Sequence, residues 1–218
     1  MIIKSFKINE VDLKYSVGIS KLKLGLNSLS LEDLFKLIED IQKDKKGSMI
    51  QFFNDDFILN SEHVFHACYF TMKAFKKGVN ILNQKNLEFI LYLASKRQIK
   101  QSLYDFGLKF EHISNKKLTY CIISPSMELS LIDEDILQKL NAKHLDIDLN
   151  KISYDKFKRV KDYFQISDNQ ILVVLKTYGL NIILENPSKE DLINLYKVLN
   201  DLISEKMALL SLEKIKVN

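Results

Sequence analysis

The chain has 218 residues, 46% of them hydrophobic and 28% charged, which is enough for one domain with a packed core and too apolar for a disordered tail. Only 6 Gly and 2 Pro occur, excluding collagen-like, Pro-rich and Gly-Ser-linker architectures and withholding the glycines of most phosphate loops. The net charge is +4, and the longest uncharged runs, 63–72 and 118–127, have 10 residues each where a bilayer span needs about 20, so no membrane partner is expected.

Residues 1–10 carry no apolar signal core followed by small residues, so the chain is expected to stay in the cytoplasm. Residues 2–8 (IIKSFKI) alternate as a strand, and 14–24 read as a second extended piece. From 31 to 41, Leu31, Leu34, Phe35, Ile38 and Ile41 recur at helical spacing behind Ser30 as cap. MIQFF, 49–53, reads as a strand ended by Asn54-Asp55-Asp56. A long helix is predicted over 61–77, stopping at Gly78. LEFILYLA, 87–94, reads as the clearest strand, followed by a helix over 96–106 ending at Gly107. KLTYCIIS, 117–124, is another buried strand, and a short helix over 133–141 leads into a turn-rich stretch. Pattern alone describes 143–186; within it, Ser167 followed by Gln170 favours a helix over 168–178. The last helix spans 189–212. Alternating strands and helices, with no repeat, predict one domain over 1–218 of α/β or α+β class. It should hold a central mixed sheet flanked by helices and a long C-terminal helix.

Divided along the chain, the charge is uneven. Residues 1–60 carry 9 Lys against 9 acidic groups, 61–120 carry 9 Lys and 1 Arg against 4, and 121–218 carry 12 Lys and 1 Arg against 15. The whole excess lies in the middle. Either this is an anion-binding surface, with nucleic acid the leading partner, or it is a solvated Lys-rich one, because Lys supplies 30 of the 32 basic residues. Arg97 and Arg159 are the exceptions; a planar fork holds phosphate bidentately or stacks on a base, and Arg97 lies in the basic segment.

Two surfaces stand out. On the helix over 61–77, Val64, Phe65, Ala67, Cys68, Thr71, Met72 and Phe75 take the core side. His63, His66, Tyr69, Phe70, Lys73, Lys76 and Lys77 fall opposite. Within these, His66, Phe70, Lys73 and Lys77 form a row of aromatic planes and amines suited to a single-stranded nucleic acid; alternatively the aromatics pack under a loop. At the second surface, Ser95 and Gln98 predict a capping box that opens a helix directly after a strand, with Lys96, Arg97 and Lys100 around its N-terminus. Ile99, Leu103 and Phe106 take the core side there, and Arg97, Lys100, Gln101 and Tyr104 face out.

Signals for catalysis are poor: no Walker loop, GxGxxG, GxSxG or kinase motif set occurs, so no enzyme is expected. Cys68 and Cys121 sit among apolar neighbours and read as buried small hydrophobes. His63 and His66 form a lone histidine pair without HExxH or CxxC, so neither zinc nor another cofactor is expected.

The stretch from His63 to Lys109 resembles the signature core of the CGI/PRPK-binding (TPRKB-like) subunit of the KEOPS/EKC complex, archaeal type. Asn80, Ile81 and Asn83 match its N-I-x-N turn, and Arg97, Gln98, Ile99, Ser102, Leu103, Phe106 and Gly107 match its R-Q-I helix. LISEKMALLSLEK, 202–214, resembles the ending of archaeal members, whereas 143–186 matches poorly. The resemblance implies a single non-catalytic domain that binds the small lobe of the Bud-type kinase-like ATPase. It thereby joins the Kae-type transferase in making threonylcarbamoyl-adenosine on tRNA. It also implies a role in holding tRNA by its single-stranded 3′ CCA end. With the two surfaces above, the tRNA-binding candidates are His63, His66, Phe70, Lys73, Lys77, Lys96, Arg97, Gln98, Lys100 and Tyr104. The alternative is a scaffold that only binds and regulates the kinase. Its support is the last helix, where Val198 and Leu209 widen an apolar stripe that includes Leu202 beyond the roughly 100° of a surface helix. Val198, Leu202 and Leu209 are therefore partner-binding candidates. An enzyme with an unrecognised small-molecule site is a remote third reading.

Overall fold

The computed structural model describes residues 1–25, 29–126 and 128–212. Strands β1 (Ile2–Ile8) and β2 (Leu13–Lys23) pair antiparallel around a 3-10 turn at Asn9–Val11. Helix α1 (Leu31–Asp44), strand β3 (Met49–Phe53) and helix α2 (Ser61–Lys77) follow. Then come α3 (Lys85–Ala94), α4 (Ile99–Phe106), the short α5 (Phe110–Ser114) and strand β4 (Lys117–Ser124). The remaining elements are α6 (Leu129–Lys139), β5 (Lys143–His144), α7 (Tyr154–Tyr163), α8 (Asp168–Thr177) and α9 (Lys189–Leu212).

The strand order is β1-β2-β4-β3, and β5 pairs with β2 at Leu22 and Lys23, beyond the stretch that β1 covers. Every pairing among the described strands is antiparallel, so the fold is α+β and the sheet is not mixed. A parallel neighbour needs a strand–helix–strand crossover, and the segment that would have completed one, 87–94, is helical. Side-chain alternation splits the sheet between two cores. Val17, Ile19, Met49, Phe53, Cys121 and Ile123 face α2, α3 and α7 to α9. Leu22, Ile50, Phe52, Leu118, Tyr120 and Ile122 face α1 and α6. Cys68 and Cys121 are free and buried, and burial, then the neighbouring Cys121, pushes the Cys68 thiol well up.

Three helix boundaries follow their predicted chemistry. Ser30 caps α1 in a reciprocal box with Asp33, and Ser167 caps α8 in one with Gln170. Gly78 closes α2 at φ 68°, a left-handed position that costs glycine nothing, with the Val79 N–H on the Ala74 carbonyl at 3.0 Å. The edge strand β3 has its open side closed by side chains. The Ile50 N–H donates to Gln42 Oε1 at 2.7 Å, and Asn86 Nδ2 donates to the Ile50 carbonyl at 2.9 Å.

The segment 87–94 departs most from expectation. Every residue from Glu88 to Ala94 is buried, because α3 packs between α2, α4, α9 and β3. A helix enclosed on all sides shows no period, and its continuous apolar run reads like a buried strand. The predicted capping box at Ser95 and Gln98 is therefore absent. Ser95 instead ends α3 at φ 49°, with the Lys96 N–H returning to the Leu91 carbonyl at 3.2 Å, and α4 starts only at Ile99. Within α3, the fully buried Glu88 carboxylate accepts the Ile81 N–H at 3.0 Å and the Leu82 N–H at 2.7 Å, which folds the loop after α2 onto the helix. Glu88→Ala should cost roughly 3 kcal/mol, since it strands two part-buried donors and empties a fully buried site. Glu88→Gln, which keeps one acceptor oxygen, should lose less; urea titrations of the two variants check the order.

Candidate functional site

The aromatic–amine row on α2 is not an open surface. α9 crosses that side of the helix, and the turn after β1 closes its end. His63 is 0% exposed: the Leu59 N–H donates to Nδ1 at 3.3 Å, so Nε2 carries the hydrogen given to the Leu93 carbonyl at 3.0 Å. Its ring packs edge-on to Phe106 and Phe164. His66 is half-buried against Ser204 of α9; Ser204 gives its own hydrogen to the Asn200 carbonyl, so His66 Nδ1–H is the donor between them. Phe70 stacks on Tyr92 with centroids 5.7 Å apart, and Tyr69 packs against Phe6 and Phe70. Lys73 and Lys77 both reach Glu10 at 3.1 Å, and together they hold its carboxyl below the usual range. Of the row, Phe70, Lys73 and Lys77 also line a cleft of about 260 Å³ with Val79, Ala208 and Leu212.

The second surface survives in changed form. Lys96 turns inward, 3.4 Å from Asp105 and over the Tyr163 ring at 4.2 Å. Asp105 also accepts from Gln101 Nε2 at 2.9 Å and from the Tyr163 hydroxyl at 2.7 Å, so one buried carboxylate ties α4 to α7. Arg97 is exposed and donates to the Leu210 carbonyl near the end of α9 at 3.0 Å. Gln98 and Lys100 are exposed, and Tyr104 is 68% exposed. Leu103, expected in the core, is exposed beside them because the eight-residue α4 buries only Ser102, Asp105 and Phe106 fully.

Sequence reasoning missed α5. Phe110 is 70% exposed, and Lys109 Nζ lies 4.5 Å from the Tyr104 ring centre. The short helix is pinned by His112: the Lys109 N–H donates to Nδ1 at 2.9 Å, which leaves Nε2–H for Asn54 Oδ1 at 3.2 Å. Asn54 in turn donates to the Asp105 carbonyl at 3.0 Å. Phe110 sits between Lys109 and Glu111 just after Gly107, an aromatic among charges, and that was its signal. Tyr104, Phe110, Lys100 and Lys109 thus bring aromatic planes and amines to one corner of the fold, with Lys109 Nζ over the Tyr104 ring.

Residues 30–211, from the cap of α1 to the end of α9, match the family model described as kinase binding protein CGI-121. The chain belongs to the CGI-121 family. No curated protein matches it individually. Both surfaces described above lie inside the span shared with the CGI-121 family.

The α9 candidates divide. Val198 and Leu202 are buried in the core under this CGI-121 helix, because α2, α3, α7 and α8 cover the wide apolar arc; a charge at Val198 would unfold the chain rather than test a contact. Leu209 is 49% exposed. Elsewhere, a Ser–His–Asp chain runs from Ser20 Oγ to His144 Nδ1 at 3.3 Å and from His144 Nε2 to Asp133 at 2.9 Å. Ser20 is enclosed and cannot meet a substrate, so the chain serves to fasten β5 to β2 and α6. Among the described residues, no group of three or more His, Cys, Asp or Glu could hold a metal ion, and no helix is long and apolar enough to cross a membrane.

Burial pushes His63 down to about 4 from its ordinary 6.5, with the Leu93 hydrogen bond opposing. The unfolded chain therefore binds the extra proton first, and stability present at neutral pH is lost as pH falls from 6.5 towards 4, by up to about 3 kcal/mol. In denaturation between pH 7 and pH 4.5, His63→Gln should be less stable at pH 7 yet fall less steeply than the parent.

Proposed function

We propose that the protein is the non-catalytic, kinase-binding subunit of a KEOPS/EKC assembly. It binds the Bud-type kinase-like ATPase, joins the Kae-type transferase, and holds the single-stranded 3′ CCA end of tRNA during threonylcarbamoyl-adenosine formation. The kinase half rests on membership of the CGI-121 family. The RNA half rests on one observation, the exposed cation–aromatic corner of α4 and α5. Stacking on an exposed aromatic contributes about 1–3 kcal/mol per unpaired base, and each amine on a single strand adds a salt-sensitive phosphate contact.

The test is fluorescence anisotropy of labelled tRNA across a salt series, using the whole chain. Tyr104→Ala and Phe110→Ala should each weaken binding by about 5- to 100-fold. Lys100→Glu should weaken it and flatten the log–log salt slope by about 0.7. Lys36→Glu, exposed on α1 beyond the other face of the sheet, should change little. Trimming CCA should give a loss that does not add to that of Tyr104→Ala. Native affinity in folded Tyr104→Ala and Lys100→Glu would leave a protein-only scaffold as the function.

For the kinase, the support is an apolar surface away from the basic corner. Leu172 and Val173 on α8, then Tyr178 and Ile183 after it, are exposed, Ile183 to 74%. The Tyr178 hydroxyl donates to Asp201, Asp168 pairs with Lys161, and Lys176 is exposed on α8. Apolar side chains exposed together suit the core of a protein interface. Val173→Glu with Ile183→Glu should reduce co-purification with the kinase at least tenfold, with an unchanged circular dichroism spectrum and unchanged tRNA affinity. Undiminished kinase capture by the folded double variant would move the interface elsewhere.

A further inference from the structure

The cleft between α2 and α9 joins an apolar wall to two amines. Two small side chains, Ala74 on α2 and Ala208 on α9, leave room for about 260 Å³, and Phe70, Val79 and Leu212 complete the wall. Phe70 is held in place by its stack on Tyr92. Ser211, which also lines the space, has its hydroxyl taken by that of Tyr92 at 2.8 Å. Among the described residues no carboxylate lines the cleft, and its charged groups are the amines of Lys73 and Lys77.

Glu10 shows what these amines accept. It reaches over from the turn after β1, and Lys73 and Lys77 each lie 3.1 Å from its Oε2. Two amines thus converge on one carboxylate oxygen at the rim of an apolar space that Glu10 itself does not line. The Glu10 side chain is 61% exposed. An ion pair so open to water is weak, and another carboxylate can take its place at little cost. Glu10 brings the acid group but no apolar body to fill the space behind it.

We propose that this cleft binds a small aromatic carboxylate, with its ring between Ala74 and Ala208 beside Phe70 and its acid group on Lys73 and Lys77 in place of Glu10. Exchange of one exposed carboxylate for another is close to neutral, so the driving force is the ring leaving water for an apolar wall. Phe70 favours a planar body over a branched one, since aromatic rings pair edge-on or offset. Glu10 is then a competitor built into the fold, and it sets the concentration at which the ligand enters.

Isothermal titration calorimetry of the whole chain with 2-naphthoate as probe tests the site. The parent should bind it saturably, and Glu10→Gln should bind it several-fold tighter. Lys73→Gln combined with Lys77→Gln should weaken binding by about tenfold, and the neutral 2-naphthalenemethanol should bind the parent more weakly by a similar factor. Ala208→Phe, which fills the cleft, should abolish binding with an unchanged circular dichroism spectrum. Absence of saturable heat with both the parent and Glu10→Gln would overturn the proposal, as would undiminished affinity in the folded lysine double variant. Tighter binding of 5′-AMP than of 2-naphthoate, lost in the same variants, would give the cleft to an RNA end instead.

Discussion

α3 is buried along almost its whole length, and the helical side of the molecule is arranged around it. Its Glu88 carboxylate gathers the loop that follows α2, and its left-handed end at Ser95 throws α4 outward. α2 and α9 then pack beside it, each hiding a face the other would have exposed. An apolar helix in the middle of a layer leaves its neighbours with little free surface. The open surfaces of this side therefore lie towards its rim, on α4, α5 and α8.

This enclosure also explains what was legible in the sequence. β1, covered on one face, alternates and falls where period-two reading puts it, while β3 and β4, covered on both, fall where their short apolar runs put them; α2 and α9, bounded by Gly78 and by a polar start, also lie where expected. Local chemistry sufficed at Ser30 and Ser167, where two side chains cap each other within four residues. α3 was illegible because uniform burial erases the period that separates helix from strand. α5, β5 and α7 were missed because they are short, polar and held by distant groups: His112 by Asn54, His144 by Asp133, Ser153 by Tyr196. The site shows the same division. A helical wheel identifies which side of α2 is less apolar, but not that α9 covers it, so His63 is buried and His66 half-buried where an open face was expected, while Lys100 and Tyr104 are exposed as expected.

The charge excess of the middle segment is likewise smaller on the surface than along the chain. Lys73 and Lys77 share Glu10, and Lys96 is taken by Asp105. Exposed pairs of this sort contribute little to stability, yet they remove cations from the field a polyanion would feel. Of those that remain, Lys100 and Lys109 lie beside Tyr104 and Phe110. A modest net charge can thus present a compact electropositive corner without making the whole surface sticky.

The closed edge of β3 has a consequence for how the chain behaves among copies of itself. GSMIQFFN, 47–54, is an uncharged, β-prone run of the kind that templates strand addition when its outer edge is bare. Gln42 and Asn86 occupy the outward N–H and carbonyl of Ile50, where another strand would have to dock. These two amides therefore act as a plug against polymerisation. Losing either amide would reopen the outer edge of β3 to another strand.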